Sequence, residues 1–149
     1  MDKKKVYIGA DSAGYLLKED VKARLLSLGY EVFDCGCDST ASCHYPEFAA
    51  RVCERVQAEL EDSFGVLICG TGIGMSMCAN KHKGIRAALC ADTFSARMTR
   101  MHNDANVLCM GARVIGYGLA LDILDAFLDA EYEGGRHAIR VEMIKNLDK

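Results

Sequence analysis

The run Phe64-Gly65-Val66-Leu67-Ile68-Cys69 is almost wholly apolar and passes without a break into Gly70-Thr71-Gly72-Ile73-Gly74. An apolar run this short reads as a strand, and the lack of alternation says that both its faces are buried. Strands of that kind belong to parallel sheets covered by helices. The remainder of the chain repeats the motif. Val6–Ala10 reads as a first strand ending at Asp11, and Tyr30–Cys35 as a second. Between them Leu16, Leu17, Val21, Leu25 and Leu28 recur at helical spacing from Tyr15 to Leu28, and Gly29 stops the helix. A polar loop leads to Tyr45-Pro46, where the only proline marks a helix start. Phe48, Ala49, Val52, Val56 and Leu60 form that helix's apolar stripe. After Gly74 a helix runs to about Asn80, followed by a strand over Ile85–Cys90, a helix over Thr93–Met101 and a strand over Asn106–Met110. Gly116–Leu128 and Arg136–Leu147 read as the last two helices, the second with a narrow stripe of Val141, Ile144 and Leu147.

Five strands alternating with helices predict one α/β domain over residues 1–149. With right-handed crossovers the fold is doubly wound: a three-layer α/β/α sandwich around a five-stranded parallel sheet, Rossmann-like in plan. In such sheets ligands bind beyond the carboxyl ends of the strands. That rule points to Asp11, to Cys69 through Gly74, to Asp92 and to Gly111 through Arg113. The last helix follows Glu133-Gly134-Gly135 and is only weakly apolar, which suits packing on a partner chain.

Three glycines within Gly70–Gly74 let backbone N–H groups come close to a ligand oxygen, and the following helix turns its positive end to the same point. Together they suit a negative oxygen such as that of an enediolate. A thiol at a helix start gains thiolate character, so Cys69 is a candidate nucleophile or proton-abstracting base. The same turn also suits a nucleotide phosphate, or no ligand at all. The Lys-Ser/Thr of a phosphate-binding P-loop is missing, as is an acidic residue with dinucleotide spacing. His102, in Met101-His102-Asn103-Asp104, is a candidate acid or base near neutral pH, or part of a capped turn. Arg136 and Arg140 share a helix face beside His137, a pattern that suits a phosphate or a solvated surface. Arg113 is a further cation past the fifth strand. Asp11 either holds sugar hydroxyls or caps the next helix.

A formal net charge of −3 excludes a general nucleic-acid binder, and no stretch approaches the length of a membrane span. The charged start Met1-Asp2-Lys3-Lys4-Lys5 lacks an apolar signal core, so a cytoplasmic protein is expected. Free thiols are then expected for the eight cysteines. Cys35, Cys37 and Cys43, with His44, match no zinc spacing. Cys53, Cys78, Cys90 and Cys109 lie in apolar runs and read as small core residues.

Taken in order, the motifs Ile8-Gly9-Ala10-Asp11, Tyr45-Pro46, Ile68 through Gly74, Ala79-Asn80-Lys81, Gly84-Ile85-Arg86-Ala87, His102 through Val107 and Tyr132 through His137 resemble the ribose/galactose isomerase family. That family groups ribose-5-phosphate isomerases of the B type with the galactose-6-phosphate isomerase subunits. The resemblance covers nearly the whole chain. It implies an aldose-ketose isomerase that interconverts ribose 5-phosphate and ribulose 5-phosphate through a cis-enediolate, in the non-oxidative pentose phosphate pathway. It implies a homodimer or dimer of dimers with active sites at the subunit interface. By resemblance Cys69 moves the proton between C1 and C2. Thr71 with Gly70, Gly72, Ile73 and Gly74 stabilises the enediolate, and His102 opens the furanose ring. Asp11, Tyr45 and Asn103 then hold hydroxyls, and Arg113, Arg136, His137 and Arg140 surround the phosphate. No metal or organic cofactor is implied, and the partners are a small sugar phosphate and a second copy of the chain, not nucleic acid or membrane.

One position departs from the family pattern. Its usual Asp-His after the first strand is Asp11-Ser12 here. Ser12 keeps a hydrogen-bond donor but loses reach and any positive charge toward the phosphate. A hexose 6-phosphate isomerase, acting on allose or galactose phosphates, is therefore one alternative, and a non-catalytic sugar-phosphate-binding module another. The galactose enzyme divides its catalytic residues between unlike subunits, whereas Cys69 and His102 are both present here, which speaks against both alternatives.

Overall fold

The computed structural model describes residues 3–149; the charged start at Met1 and Asp2 lies outside the described residues. Strands β1 (Lys5–Ala10), β2 (Val32–Asp34), β3 (Ser63–Cys69), β4 (Ala87–Leu89) and β5 (Val107–Gly111) alternate with helices α1 (Tyr15–Ser27), α2 (Tyr45–Ala58), α3 (Ile73–Ala79), α4 (Thr93–Asn103) and α5 (Tyr117–Asp129); α6 (Arg136–Lys145) closes the chain. The five strands form one sheet in the order β2-β1-β3-β5-β4. Every neighbouring pair is parallel. The expected doubly wound α/β/α sandwich is the observed fold.

The continuous apolar run is the reason for β3's place. All seven of its residues are buried, and it sits at the centre of the sheet between β1 and β5. Each face of the sheet carries its own core. Val6, Ile8, Val66, Ile68, Leu108 and Met110 turn one way, to α1, α4 and α5. Tyr7, Leu67, Val107 and Cys109 turn the other way, to α2 and α3. Cys53, Cys90 and Cys109 are buried as expected, while Cys78 is only half-buried. All eight thiols are unpaired.

The two edge strands are shorter than the apolar runs that announce them. β2 keeps three of the six residues from Tyr30 to Cys35, and β4 three of the six from Ile85 to Cys90. Each has a neighbour on one side only, so its ends diverge from the sheet after one or two bonds, such as Cys35 N–H to the Ile8 carbonyl and Cys90 N–H to the Cys109 carbonyl. Helix α4 is longer than expected and takes in His102 and Asn103, ending where Asp104 adopts φ 48°.

Two consequences place the site. Leaving β1 the chain turns to β2 on one side, and it later enters β3 on the other, so the topological switch lies between the carboxyl ends of β1 and β3. Each crossover helix also runs back against the strands. The carboxyl rim therefore collects the starts of helices and the amino rim collects their ends. No helix among the described residues is long and apolar enough to cross a membrane.

Candidate active site

Cys69 is the last residue of β3, at the switch point, and is 4% exposed. Its Sγ accepts a hydrogen bond from the Gly72 N–H at 3.1 Å. That contact requires the chain to double back immediately after the strand. Gly72 makes the turn at φ 79°, where a Cβ would press on the Met110 carbonyl carbon at 2.8 Å. Thr71 stands exposed at the turn's tip, and its Oγ1 accepts from the Ile73 N–H at 3.2 Å. Gly74 opens the first turn of α3 and has no room for a side chain, because the Tyr45 ring from the start of α2 lies against it.

The neighbouring strand ends complete this rim. The Asp11 N–H donates to the Ile68 carbonyl at 3.2 Å, tying the end of β1 to the end of β3. Asp11 Oδ1 accepts from the Gly14 N–H at 3.0 Å, so one carboxylate oxygen shapes the turn into α1. Ser12 is half-buried next to it. From the β5 side the Arg113 N–H donates to the Gly70 carbonyl at 2.9 Å. Its guanidinium lies over Gly70, with Nη1 3.6 Å from where a Cβ would stand. Asp11, Ser12, Tyr45, Cys69, Gly70, Thr71, Gly72, Ile73, Gly74 and Arg113 are thus gathered at one rim.

His102, Asn103, Arg136, His137 and Arg140 are not there. His102 and Asn103 end α4 and precede β5, which puts them at the amino rim. Cys69 pairs with Gly111 at the far end of β5 while Gly65 pairs with Val107 at the near end. At about 3.3 Å per residue the strand between the rims measures on the order of 15 Å. The amino-rim group is itself coherent. The His102 and His137 rings stack at 4.2 Å with 11° between planes. His137 Nε2 stands 3.3 Å from Glu133 Oε2. The Arg140 guanidinium turns to the Arg136 carbonyl at 3.1 Å, and both arginines are exposed. Glu133 has no site role in the sequence reading, where it stands in the Glu133-Gly134-Gly135 hinge and in the motif from Tyr132 through His137. The end of α4 is held from below, where Arg86 donates to the Asn103 and Asp104 carbonyls and Asn106 receives the Arg86 N–H. A cavity of about 500 Å³ at this rim is lined in part by Arg86, Arg100 and Asp104, both arginines pairing with the Asp104 carboxylate, and His102, Asn103, Glu133, Arg136, His137 and Arg140 are not in its lining.

Residues 6–144 match the model of the ribose/galactose isomerase family. The chain belongs to that family. It is 47% identical over 146 residues to ribose-5-phosphate isomerase B of Escherichia coli K12, covering 98% of this chain and 97% of that one. The solved structure of ribose-5-phosphate isomerase B from Clostridium thermocellum superimposes with a TM-score of 0.93 at 50% identity, covering 96% of both chains. That of the Mycoplasma genitalium enzyme with bound ribulose 5-phosphate gives a TM-score of 0.93 at 38% identity, covering 96% of this chain and 95% of that one.

Proposed function

We propose that the protein is a ribose-5-phosphate isomerase of the pentose phosphate pathway, and that its active site is assembled from two copies of the chain. The observation that carries the chemistry is Cys69 at the switch point, its sulfur held by the Gly72 N–H inside a turn made of close-approaching backbone. With the sugar open, the Cys69 thiolate removes the proton from C2 of the aldose. The electron pair moves into the C1–C2 bond and charge collects on the C1 oxygen. N–H groups of Gly70 through Gly74, with the Thr71 hydroxyl, face that oxygen and stabilise the cis-enediolate. The same thiol returns the proton to C1 while the proton on the C2 oxygen passes to the C1 oxygen, and a ketose with its carbonyl at C2 results. Asp11 and Tyr45 take sugar hydroxyls.

Ring opening needs an acid-base group, and the role falls to His102 with Asn103 beside it. In one chain these lie across the sheet from Cys69, so a second copy supplies them, together with Arg136, His137 and Arg140 around the phosphate and Arg113 on the Cys69 side. An uncovered apolar face supports this assembly. Ile139, Met143 and Leu147 on and after α6 are 69%, 64% and 76% exposed, and only His137 and Val141 of that helix are buried. The assembly is a homodimer or dimer of dimers in the cytoplasm, each copy being one domain over residues 1–149. A coupled isomerase assay over five- and six-carbon sugar phosphates tests the reading. Highest kcat/KM on ribose 5-phosphate supports it; a preference for allose or galactose 6-phosphate, for which the short Ser12 side chain leaves space, replaces it with the hexose reading.

A further inference from the structure

We propose that His102, Glu133 and His137 form a binding site for a divalent late transition-metal ion such as Zn²⁺ or Co²⁺, one per chain, and that filling it switches isomerisation off. The inhibitory half rests on the role proposed for His102; the binding half stands on geometry alone.

Three ligand atoms, one from each side chain, lie within 4.8 Å of one another. They come from the end of α4, the Glu133-Gly134-Gly135 loop and the start of α6, and the backbone fixes their approach. The Glu133 N–H donates to the Met101 carbonyl at 3.1 Å, pinning the carboxylate beside His102, and the His137 N–H donates to the Gly134 carbonyl at 3.0 Å.

The second observation is an unfilled nitrogen. His137 is 8% exposed, and its buried Nε2 has no hydrogen-bond partner. Glu133 Oε2 is 3.3 Å away but too far off the ring's axis to accept a hydrogen bond. Two ligand atoms bound at about 2.0–2.1 Å to one tetrahedral ion stand about 3.3 Å apart. A shared ion also sits off the line joining its ligands, so this bent contact is of the kind that two ligands of one ion make. The His102 ring, stacked on His137, supplies the third ligand by turning about its outer side-chain torsion, a broad rotation with little cost. Two imidazoles and a carboxylate suit Zn²⁺, Co²⁺ or Ni²⁺ and leave a position for water. A His102 nitrogen bound to metal can neither take nor give a proton, so ring opening stops until the ion is removed.

The test is titration of metal-free protein with Co²⁺ in the absence of substrate. Visible d–d bands should saturate at one ion per chain, without the near-ultraviolet sulfur-to-cobalt band that any of the eight thiols would produce, and Zn²⁺ should erase them. Glu133→Gln should weaken the affinity at least about tenfold. It should also leave metal-free activity near that of the parent while relieving inhibition by Zn²⁺. A sulfur-to-cobalt band, or an affinity unchanged in both Glu133→Gln and His137→Ala, overturns the site. Because the spectra require no turnover, a protein that binds cobalt here yet fails to isomerise ribose 5-phosphate overturns the functional reading and leaves the metal site standing.

Discussion

The two rims of the sheet are built from different materials. At the carboxyl rim the functional surface is mostly backbone: Gly70, Gly72 and Gly74 follow Cys69 within five residues, the Gly72 N–H bonds its sulfur, and glycine is required where Met110 and Tyr45 press in. Two of its polar groups are held within the chain, the Cys69 sulfur by the Gly72 N–H and one Asp11 oxygen by the Gly14 N–H. At the amino rim the candidate groups are long or ring-shaped side chains on helix ends, and several are left open: His137 Nε2 is unpartnered and Arg136 is exposed. A strand end can fix a thiol to a fraction of an ångström. A rim of exposed arginines and stacked rings gains its definition from what is placed against it. The contrast is that of a finished half-site facing an unfinished one, which is what a site shared between two copies requires.

The sharpest way to break this comparison is to empty the finished half. Cys69→Ala should lower kcat about 10²–10⁴-fold while the protein keeps its melting temperature, measured by coupled assay and calorimetry. Retention of a tenth of the parent kcat removes Cys69 as the base. The comparison is sharpened by letting the halves rescue each other. Cys69→Ala and His102→Ala chains, each inactive alone, should recover about a quarter of parental activity after equal mixing and verified subunit exchange, because half the dimers are mixed and one of their two sites is intact. No recovery means that the two rims do not meet.

A third test concerns how the carboxyl rim is held. Lys18 is fully buried and donates to both Asp34 oxygens at 2.8 Å and to the Cys37 carbonyl at 2.7 Å. Burial alone would raise the Asp34 carboxyl, but hydrogen bonds from Lys18, the Gly36 N–H and Lys22 outweigh it and hold the group below its ordinary range. A carboxyl depressed in the folded state contributes stability at neutral pH that is lost as pH falls through its folded value. Lys18→Met should therefore cost about 3 kcal/mol at pH 7, read by urea unfolding, and the difference from the parent should shrink as acid protonates the Asp34 carboxylate. A difference that does not change with pH removes the ion pair as its cause.

The smallest effect is expected at Ser12, which belongs to the finished rim but bears on the phosphate. Ser12→His should lower KM for ribose 5-phosphate with kcat within a few-fold, since a contact remote from C1 and C2 supplies uniform binding. An unchanged or higher KM says that the arginines already satisfy the phosphate and that Ser12 leaves room for a longer sugar.

Much of this was legible in the chain itself. The unbroken apolar run before Cys69 determined a strand buried on both faces, and with it the parallel sheet and the position of the thiol at a strand end. The glycines after it determined that backbone would surround that thiol. Periodicity overstated β2 and β4, because apolar residues continue past the point where an edge strand loses its single neighbour. It also stopped α4 before His102, whose polar neighbours resemble a turn. The stacking of His102 on His137 and the approach of Glu133 to both were decided only by tertiary structure. They depend on α6 folding back onto α4 through a glycine hinge, and the direction of that return is set by long-range packing, which leaves no periodic trace in the residues that it brings together.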